Sequence, residues 1–400
     1  MLQVMEGDEP AVIAAAQLEI PESVRDTPAD YDAVIAKELP RLLKQGGFRG
    51  RRIICSIPSR HVHTQHLQLV TVDGMSITEL AASQFQIDFG VPPGSVVVRA
   101  IEVAETLKGG QSRAETICFA IGHRTVMRFI DLLRKAKLET VGVHTEAMAI
   151  VRAFDHIHRR ADDDQVTTLY VDIGYQGTNV AISHGRQIVF SRYIESGGRH
   201  LDQAIADALH CDLEAAHHQR MAHDLFGRGE SRPAPTAGEG IEGNAILRAA
   251  MARSAADGSA SPSSRGSSSM TATEPERRQG ERPAVLPADI APTAAAKTGP
   301  ADIDFSEPLD ALADELSMCL RYHRALFPAR TVDRMICLGG ESRQIGICQY
   351  LARSLRLGAQ LGDPLARLKS DGVKTPGLDL AVPQPGWAVA CGLCHSPTDL

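Results

Sequence analysis

Apolar and polar positions along the chain follow two different periods, and together they predict a mixed α/β fold. Residues 165–171, 178–183 and 187–193 are strand-like runs, and the second and third are separated by a tight His184-Gly185 turn. Residues 124–137 carry apolar side chains at helical spacing and basic side chains at their C-terminal end. The pattern therefore predicts a β-meander and an amphipathic helix in the middle of the chain.

The same two periods predict the elements on either side. Pro40 is expected to kink the helix that begins near Tyr31 and stops at Gly46-Gly47. Ser76-Ile77-Thr78-Glu79 is a capping-box pattern, which predicts the start of a helix. Strands are predicted over 1–4, 11–20, 51–57, 95–101, 115–121, 140–144 and 335–338. Further helices are predicted over 76–85, 147–154 and 306–327, and another is expected to begin near Ser342.

Residues 228–302 differ in composition from the rest of the chain. Proline, serine, glycine, alanine, arginine and glutamate dominate there, and aromatic residues are absent. Such a segment cannot bury enough apolar surface to offset the entropy lost on ordering. Because a helical stripe resumes at 306, the sequence predicts a long disordered insertion within a domain.

Composition excludes several classes of protein. Of the 400 residues, 43% are hydrophobic and 23% are charged, which is ordinary for a globular protein. The chain has neither a run of about 20 apolar residues nor the pattern of a signal peptide, so we expect a cytoplasmic protein with reduced cysteines. The net charge of −7 argues against a nucleic-acid partner.

Two glycine-containing turns are the strongest candidates for a ligand site. Asp172-Ile173-Gly174 lies between two predicted strands, and Gly339-Gly340 follows another. Backbone N–H groups in such turns can bind phosphate, and a nearby carboxylate can bind its metal ion. Each pattern by itself is more often an ordinary turn, so their order along the chain carries the argument.

Residues 169–205 resemble the second phosphate-loop region of actin-like proteins. The order of their features is strand, D-I-G, strand, H-G turn, strand, Gly197-Gly198 and helix. Residues 119–154, 332–368 and the AVACGL segment of 385–393 support the resemblance. Within that superfamily the chain is most similar to the PilM family of type IV pilus proteins, with FtsA more distant. This implies an α/β, two-lobed actin-like (ribonuclease H-like) fold with a small inserted subdomain and the long disordered insertion.

The resemblance also implies domain boundaries and ligand positions. It places the first lobe at 1–60 and 122–160, the small inserted subdomain at 61–121, the second lobe at 161–227 and 303–378, and the closing helix and tail at 379–400. The expected cofactor is ATP with Mg²⁺, weakly held. The residues implied for it are Asp172, Gly174, Thr178, Gly197 and Gly198 at the phosphates and Gly339, Gly340 and Ser342 at the adenosine.

Two departures from the family pattern argue against ATP hydrolysis. The first-lobe strand and D-I-G-S type loop are expected to precede residues 1–20, so we expect an upstream in-frame segment that contains them. Ala216 and Gln219 stand where the family usually has glutamate and lysine. Each lost charge-assisted bond costs roughly 1.5–3 kcal/mol of binding free energy, so we expect no catalytic residues and degenerate nucleotide binding.

Two further patterns have ordinary structural interpretations. Cys391-Gly392-Leu393-Cys394-His395 has the spacing of a haem attachment site, but it coincides with the predicted closing helix, so we expect no haem. His61, His63 and His66 could ligate a metal, since His61 and His63 would share a strand face. A solvated strand face is the favoured interpretation, and no metal site is expected.

The resemblance implies that the protein is an adaptor of a type IV pilus or related secretion machine, and we expect that function. The implied partners are the cytoplasmic tail of a PilN-like membrane protein, held between the first lobe and the small subdomain, and other pilus machine components. This places the protein at the inner face of the membrane, peripheral through its partner. The alternatives are an active actin-fold ATPase whose start was misassigned, and an FtsA-like membrane tether, for which the end at 396–400 is too short and polar.

Overall fold

A computed structural model describes residues 1–5, 7, 10–108, 111–158, 161–222, 305–370 and 378–398. The insertion predicted at 228–302 lies outside these residues. The strands are β1 (Leu2–Met5), β2 (Ala11–Ala15), β3 (Arg52–Ile57), β4 (His63–Val70), β5 (Val96–Lys108), β6 (Gln111–Gly122), β7 (Glu139–Thr145), β8 (Thr167–Ile173), β9 (Thr178–His184), β10 (Gln187–Ile194), β11 (Arg334–Leu338), β12 (Ala359–Leu361) and β13 (Lys369–Ser370).

The described helices connect and cover these strands. They are α1 (Glu22–Arg25), α2 (Pro28–Gln45), α3 (Ile77–Phe89), α4 (His123–Lys135), α5 (Glu146–Ala153), α6 (Gly198–Leu209), α7 (Leu213–Ala222), α8 (Ser306–Leu326), α9 (Ile345–Leu355) and α10 (Ala388–Cys394). Among the described helices, none is long and apolar enough to cross a membrane.

The largest sheet has five strands in the order β10-β9-β8-β11-β12. Strands β8, β9 and β10 form the predicted antiparallel meander, whereas β11 pairs in parallel with both β8 and β12. Every residue of β9 is buried, as is typical of a central strand that is covered on both faces. The apolar stripe of α8, which includes Leu309, Leu312 and Leu316, packs into the same core.

The N-terminal strands form two smaller sheets. The first two predicted strands, β1 and β2, form an antiparallel hairpin, and β13 extends that sheet in parallel with β2. Strands β3 and β7 form a separate parallel pair. Residues 303–378 therefore contribute strands both to the large sheet and, through β13, to the N-terminal sheet.

The chain between β3 and α4 forms a small unit with its own apolar cluster. Its antiparallel sheet has the order β4-β6-β5, and α3 packs on it through Ala81 and Phe85. The capping box predicted at Ser76 is present, because its hydroxyl accepts from the Glu79 amide and the Glu79 carboxylate accepts from the Ser76 amide. Strands β5 and β6 are longer than the sequence pattern predicted.

Two predicted helices differ in detail from the structure. Helix α2 begins at Pro28 and continues through Pro40 to Gln45. The helix expected near Ser342 is a 3-10 turn, Glu341–Arg343, and α9 starts only at Ile345.

Helix α10 packs against α5 at a glycine. A Cβ at Gly392 would overlap the backbone of Ala149, so only glycine allows this close approach. Cys391, two percent exposed, donates its Sγ proton to the Pro364 carbonyl oxygen at 3.3 Å. The C-x-x-C-H segment thus lies in the predicted closing helix, with its first thiol in the core.

Candidate functional site

The β8–β9 hairpin carries the predicted phosphate-loop residues at its tip. Asp172 lies inside β8 and pairs with Asn179 of β9, so the turn itself is formed by residues 174–177. The Gly174 amide donates to the Gly177 carbonyl oxygen at 2.9 Å, which closes the turn. The buried Thr178 hydroxyl donates to the Ser196 carbonyl oxygen at 2.7 Å and ties the hairpin to the loop before α6.

A second carboxylate faces Asp172 across the hairpin. Asn179 Nδ2 donates to Asp172 Oδ2 at 3.2 Å and to Glu146 Oε2 at 3.1 Å. Glu146 is the first residue of α5, and its Oε2 also accepts from the Ser59 amide at 2.9 Å. Burial raises the pKa of Asp172 to about 7, and the negative charge of Glu146 acts in the same direction. Asp172 can therefore exchange a proton near neutral pH.

The glycines predicted to face the ligand bring protein loops into close contact. A Cβ at Gly197 would overlap the Gly174 carbonyl oxygen, and one at Gly198 would overlap the Glu341 carboxylate. Gly339 has φ of +88°, and a Cβ there would overlap Ile173. These glycines are needed because the hairpin, the start of α6 and the loop after β11 converge here.

Two of the positions predicted for adenosine differ in accessibility. A Cβ at Gly340 would have no other atom within 4 Å, so this side of the loop is open. Ser342 is fully buried, and its hydroxyl donates to the Leu338 carbonyl oxygen at 2.5 Å. The Ser342 side chain is therefore engaged within its own turn.

A buried ion-pair network lies beside these loops. The Arg220 guanidinium of α7 donates to the Asp202 carboxylate of α6 and to the Glu341 carboxylate of the loop after β11. The side chains of Arg220 and Asp202 are zero percent exposed. Burial by itself would lower the pKa of Arg220, but the hydrogen bonds with Asp202 and Glu341 raise it above its ordinary value. We name Asp202, Arg220 and Glu341 the Arg220 network.

Helix α1 covers the hairpin from the other side. The Arg25 guanidinium lies 4.6 Å from the centre of the Tyr175 ring. Arg199 of α6 pairs with Glu22 at 2.8 Å and with Asp26 at 3.1 Å. These contacts join the N-terminal part of the chain to the tip of the hairpin.

Arg60, which follows β3, makes a further contact with that tip. Its guanidinium donates to the side-chain oxygen of Gln176. Its Cζ also lies 5.9 Å from the centre of the Tyr31 ring on α2. The turn at 174–177 therefore contacts protein side chains from α1 and from the segment after β3.

The site brings together most of the residues predicted from the sequence, and it also includes residues that were not predicted. Three loops converge at the site and bring together Asp172, Gly174, Thr178, Gly197, Gly198 and Gly339. Gly340 lies at the open edge of these loops, and Ser342 lies beneath them. Glu146, Asn179 and Arg220 were missed. Glu146 follows a strand and opens a helix, a position that often carries function, whereas no local pattern marks Arg220.

The departures from the family pattern in α7 have a packing explanation. Ala216 is fully buried, so a glutamate there would place a charge in the core. Gln219 is exposed, and the next residue, Arg220, makes the charged contacts. Within the part of the chain that the structure describes, no group of three or more His, Cys, Asp and Glu residues could hold a metal ion.

The three histidines near β4 do not share one solvated strand face, and that interpretation holds only for His63, which is exposed on β4, whereas His61 and His66 are half-buried. His61 is in a 3-10 turn and lies 5.9 Å from the Phe129 ring centre. His63 packs on Phe89, with ring centres 4.9 Å apart. His66 stacks on Phe190 of the large sheet at 4.8 Å. Each of the three rings therefore packs on a different aromatic side chain.

Comparison with known proteins identifies the family. The family model described as "Type IV pilus assembly protein PilM" matches residues 23–230, which is more than half of the chain. The chain belongs to the PilM family. Comparison with curated protein sequences gives no match. The family predicted from the D-I-G hairpin and the glycine pairs is confirmed.

One solved structure supports the fold. The structure titled "PilM-PilN type IV pilus biogenesis complex" aligns with a TM-score of 0.66 at 17% identity, over 98% of this PilM-family chain and 94% of that chain. The ethanolamine utilization protein EutJ from Carboxydothermus hydrogenoformans gives 0.35 at 13% identity, over 68% and 61%. MreB5 of Spiroplasma citri bound to ADP gives 0.39 at 11%, over 91% and 73%. The last two scores are too low for argument, whereas the first confirms the two-lobed actin-like α/β fold.

Proposed function

We propose that this PilM-family protein is a scaffold of a type IV pilus or related secretion machine. In this proposal it binds the cytoplasmic tail of a PilN-like inner-membrane protein, works with other pilus components, and lies at the inner face of the membrane through that partner. Support comes from the family match and from the similar fold of a protein solved in complex with PilN.

One observation carries the scaffold interpretation: the side chains around the predicted nucleotide site bind one another. Arg220 is occupied by Asp202 and Glu341, and the Ser342 hydroxyl by Leu338. These side chains could contact a nucleotide only if those bonds broke, and breaking a buried charge pair is costly. We therefore propose that ATP with Mg²⁺ binds weakly and is not required for the partner interaction.

A crevice at the start of the small unit is the proposed docking place for the PilN-like tail. It has a volume of about 580 Å³ and opens where the chain passes from β3 into β4. Its walls include Arg60 and Thr64 on one side and Glu195 on the other. Main-chain groups and mixed charges along a crevice suit an extended peptide.

Blocking this crevice tests the proposal. Thr64 lines it, so Thr64→Trp should fill part of its volume and weaken binding of a fluorescently labelled PilN-like tail by at least tenfold, or about 1.4 kcal/mol. Thr71 is exposed in the same small unit and does not line the crevice, so Thr71→Trp is the matched control. Fluorescence anisotropy gives both dissociation constants, and thermal melting checks that both variants fold.

The outcomes separate the two parts of the proposal. If the Thr64→Trp and Thr71→Trp variants bound the tail with equal affinity, the crevice would be refuted as the docking place. The proposal that a PilN-like tail is the partner would still stand. No binding of the tail to the unmodified protein, together with steady phosphate release from ATP, would refute the scaffold function itself.

One observation favours ATP hydrolysis as a second candidate function. Asp172 and Glu146 are held together by Asn179, and the pKa of Asp172 near 7 suits a group that accepts a proton. Hydrolysis by this pair predicts that Asp172→Asn and Glu146→Gln each reduce phosphate release at least a hundredfold. Release at the level of a no-protein blank would reject this candidate.

A further inference from the structure

A basic cavity lies at the other end of the central meander from the hairpin tip. Its volume is about 340 Å³. Segments from distant parts of the chain form it: the end of α5, the β9–β10 turn, the segment between β12 and β13, and α10. Its charged and imidazole-bearing lining residues are Arg152, Asp155, His156, Arg186, Arg367 and His395, and the Cys391 thiol also lines it.

Arg152 is held in a fixed position in this cavity. Its Nη1 donates to the Ser396 hydroxyl at 2.9 Å and lies 3.4 Å from His144 Nδ1. Its Nη2 donates to no acceptor among the described residues. A guanidinium that is already oriented loses little side-chain entropy when it binds a ligand.

Arg186 is anchored in a similar way. Its Nε donates to the His158 carbonyl oxygen at 2.7 Å. Its two Nη groups make no hydrogen bond with the residues that the structure describes. The anchored Nε leaves those Nη donors for a ligand in the cavity.

The positive charges of these two arginines are not balanced by ion pairs. Neither Arg152 nor Arg186 forms an ion pair with any described residue, although the chain as a whole carries a net charge of −7. Asp155 is the only carboxylate among the lining residues. Burial raises the pKa of Asp155, and the nearby positive charges of Arg186 and Arg152 oppose that shift. One carboxylate therefore lies close to two arginines.

We propose that this cavity, the Arg152–Arg186–Arg367 pocket, binds a phosphate-bearing anion. Arginine forks donate pairs of parallel N–H bonds, and converging forks can share the oxygens of one tetrahedral phosphate. A carboxylate has only two oxygens and would leave part of the set unused. The cavity volume lies in the range of small-molecule sites.

The pocket is distinct from the candidate nucleotide site. Arg186 follows the C-terminal end of β9, whereas the turn at 174–177 precedes its N-terminal end. The seven residues of β9 separate the two ends by roughly 20 Å, at about 3.3 Å per residue. A phosphate group bound here could belong to a soluble compound or to a phospholipid headgroup.

Calorimetric titration of the full chain with inorganic pyrophosphate tests the soluble source. Co-sedimentation with vesicles of phosphatidylglycerol and phosphatidylcholine, against vesicles of phosphatidylcholine alone, tests the lipid source. The Arg186→Gln/Arg367→Gln double variant should weaken the binding at least tenfold, or about 1.4 kcal/mol. The control is Arg134→Gln/Arg353→Gln, which removes the same charge from exposed positions on α4 and α9.

The outcomes decide both the site and the source. If the pocket variant loses pyrophosphate binding and the control variant keeps it, the ligand is a soluble phosphate compound. If the pocket variant loses vesicle binding and the control variant keeps it, the ligand is a phospholipid headgroup. Should the glutamine variant fail to fold, Arg186→Lys/Arg367→Lys serves instead, and it should bind more weakly than the unmodified chain because the forks are gone. The absence of binding in both assays, or equal loss in pocket and control variants, would overturn the proposal.

Discussion

Replacing Arg220 with methionine would leave two buried carboxylates without their cation. The Arg220 side chain is zero percent exposed and contacts Asp202, which is also zero percent exposed, and Glu341, which is eight percent exposed. These residues belong to α7, to α6 and to the loop after β11. The substitution keeps much of the apolar volume, so the main change is the loss of positive charge.

The expected cost follows from the burial of the network. Removing one partner of a buried ion pair costs about 3–5 kcal/mol, because the remaining charge is desolvated and uncompensated. Surface screening does not reduce this figure, since none of the three side chains is more than eight percent exposed. We expect Arg220→Met to lower the free energy of unfolding by that amount.

Urea unfolding followed by circular dichroism measures this change. Arg353→Met on the exposed face of α9 is the control and should stay within about 0.5 kcal/mol of the unmodified protein. A variant with Asp202→Leu, Arg220→Met and Glu341→Leu together should recover most of the loss, because no buried charge is left. A loss below about 1 kcal/mol for Arg220→Met would refute the reasoning.

Two further predictions concern helix packing and pH. Gly392→Ala should lower the free energy of unfolding by about 1–3 kcal/mol, because the new Cβ would overlap the backbone of Ala149. Gly340→Ala should be nearly neutral, because the space around Gly340 is open. Thermal melting of both variants measures the difference. Burial raises the folded-state pKa of Asp172 to about 7, so the stability that its bound proton contributes is complete below the unfolded value near 4 and is lost as the pH rises through about 7. Asp172→Asn should therefore gain stability relative to the unmodified protein as the pH rises from roughly 4 to roughly 7 in urea titrations, and a constant difference would contradict the assignment.

Local pattern was sufficient for most elements of the fold. The strand-like runs at 165–171, 178–183 and 187–193 predicted β8, β9 and β10, and the capping box at Ser76 predicted the start of α3. The strand predictions succeed because a short apolar run bounded by turn residues is typical of a buried strand, and the capping box succeeds because it satisfies backbone groups at the start of a helix. Short α1 has no apolar stripe, so it was missed although it covers the hairpin tip.

By itself the sequence determined the fold class and the family. Four local patterns carried this prediction: the D-I-G hairpin, the Gly197-Gly198 pair, the Gly339-Gly340 pair and the AVACGL segment. Each reflects a local backbone requirement, so it can be recognised without knowing which residues surround it in the fold. Only the tertiary structure decided what those glycines approach. It also brought Arg220 to Glu341 across 121 positions, and Arg152 to Ser396 across 244. No local period encodes such pairs, because they depend on how separate elements pack.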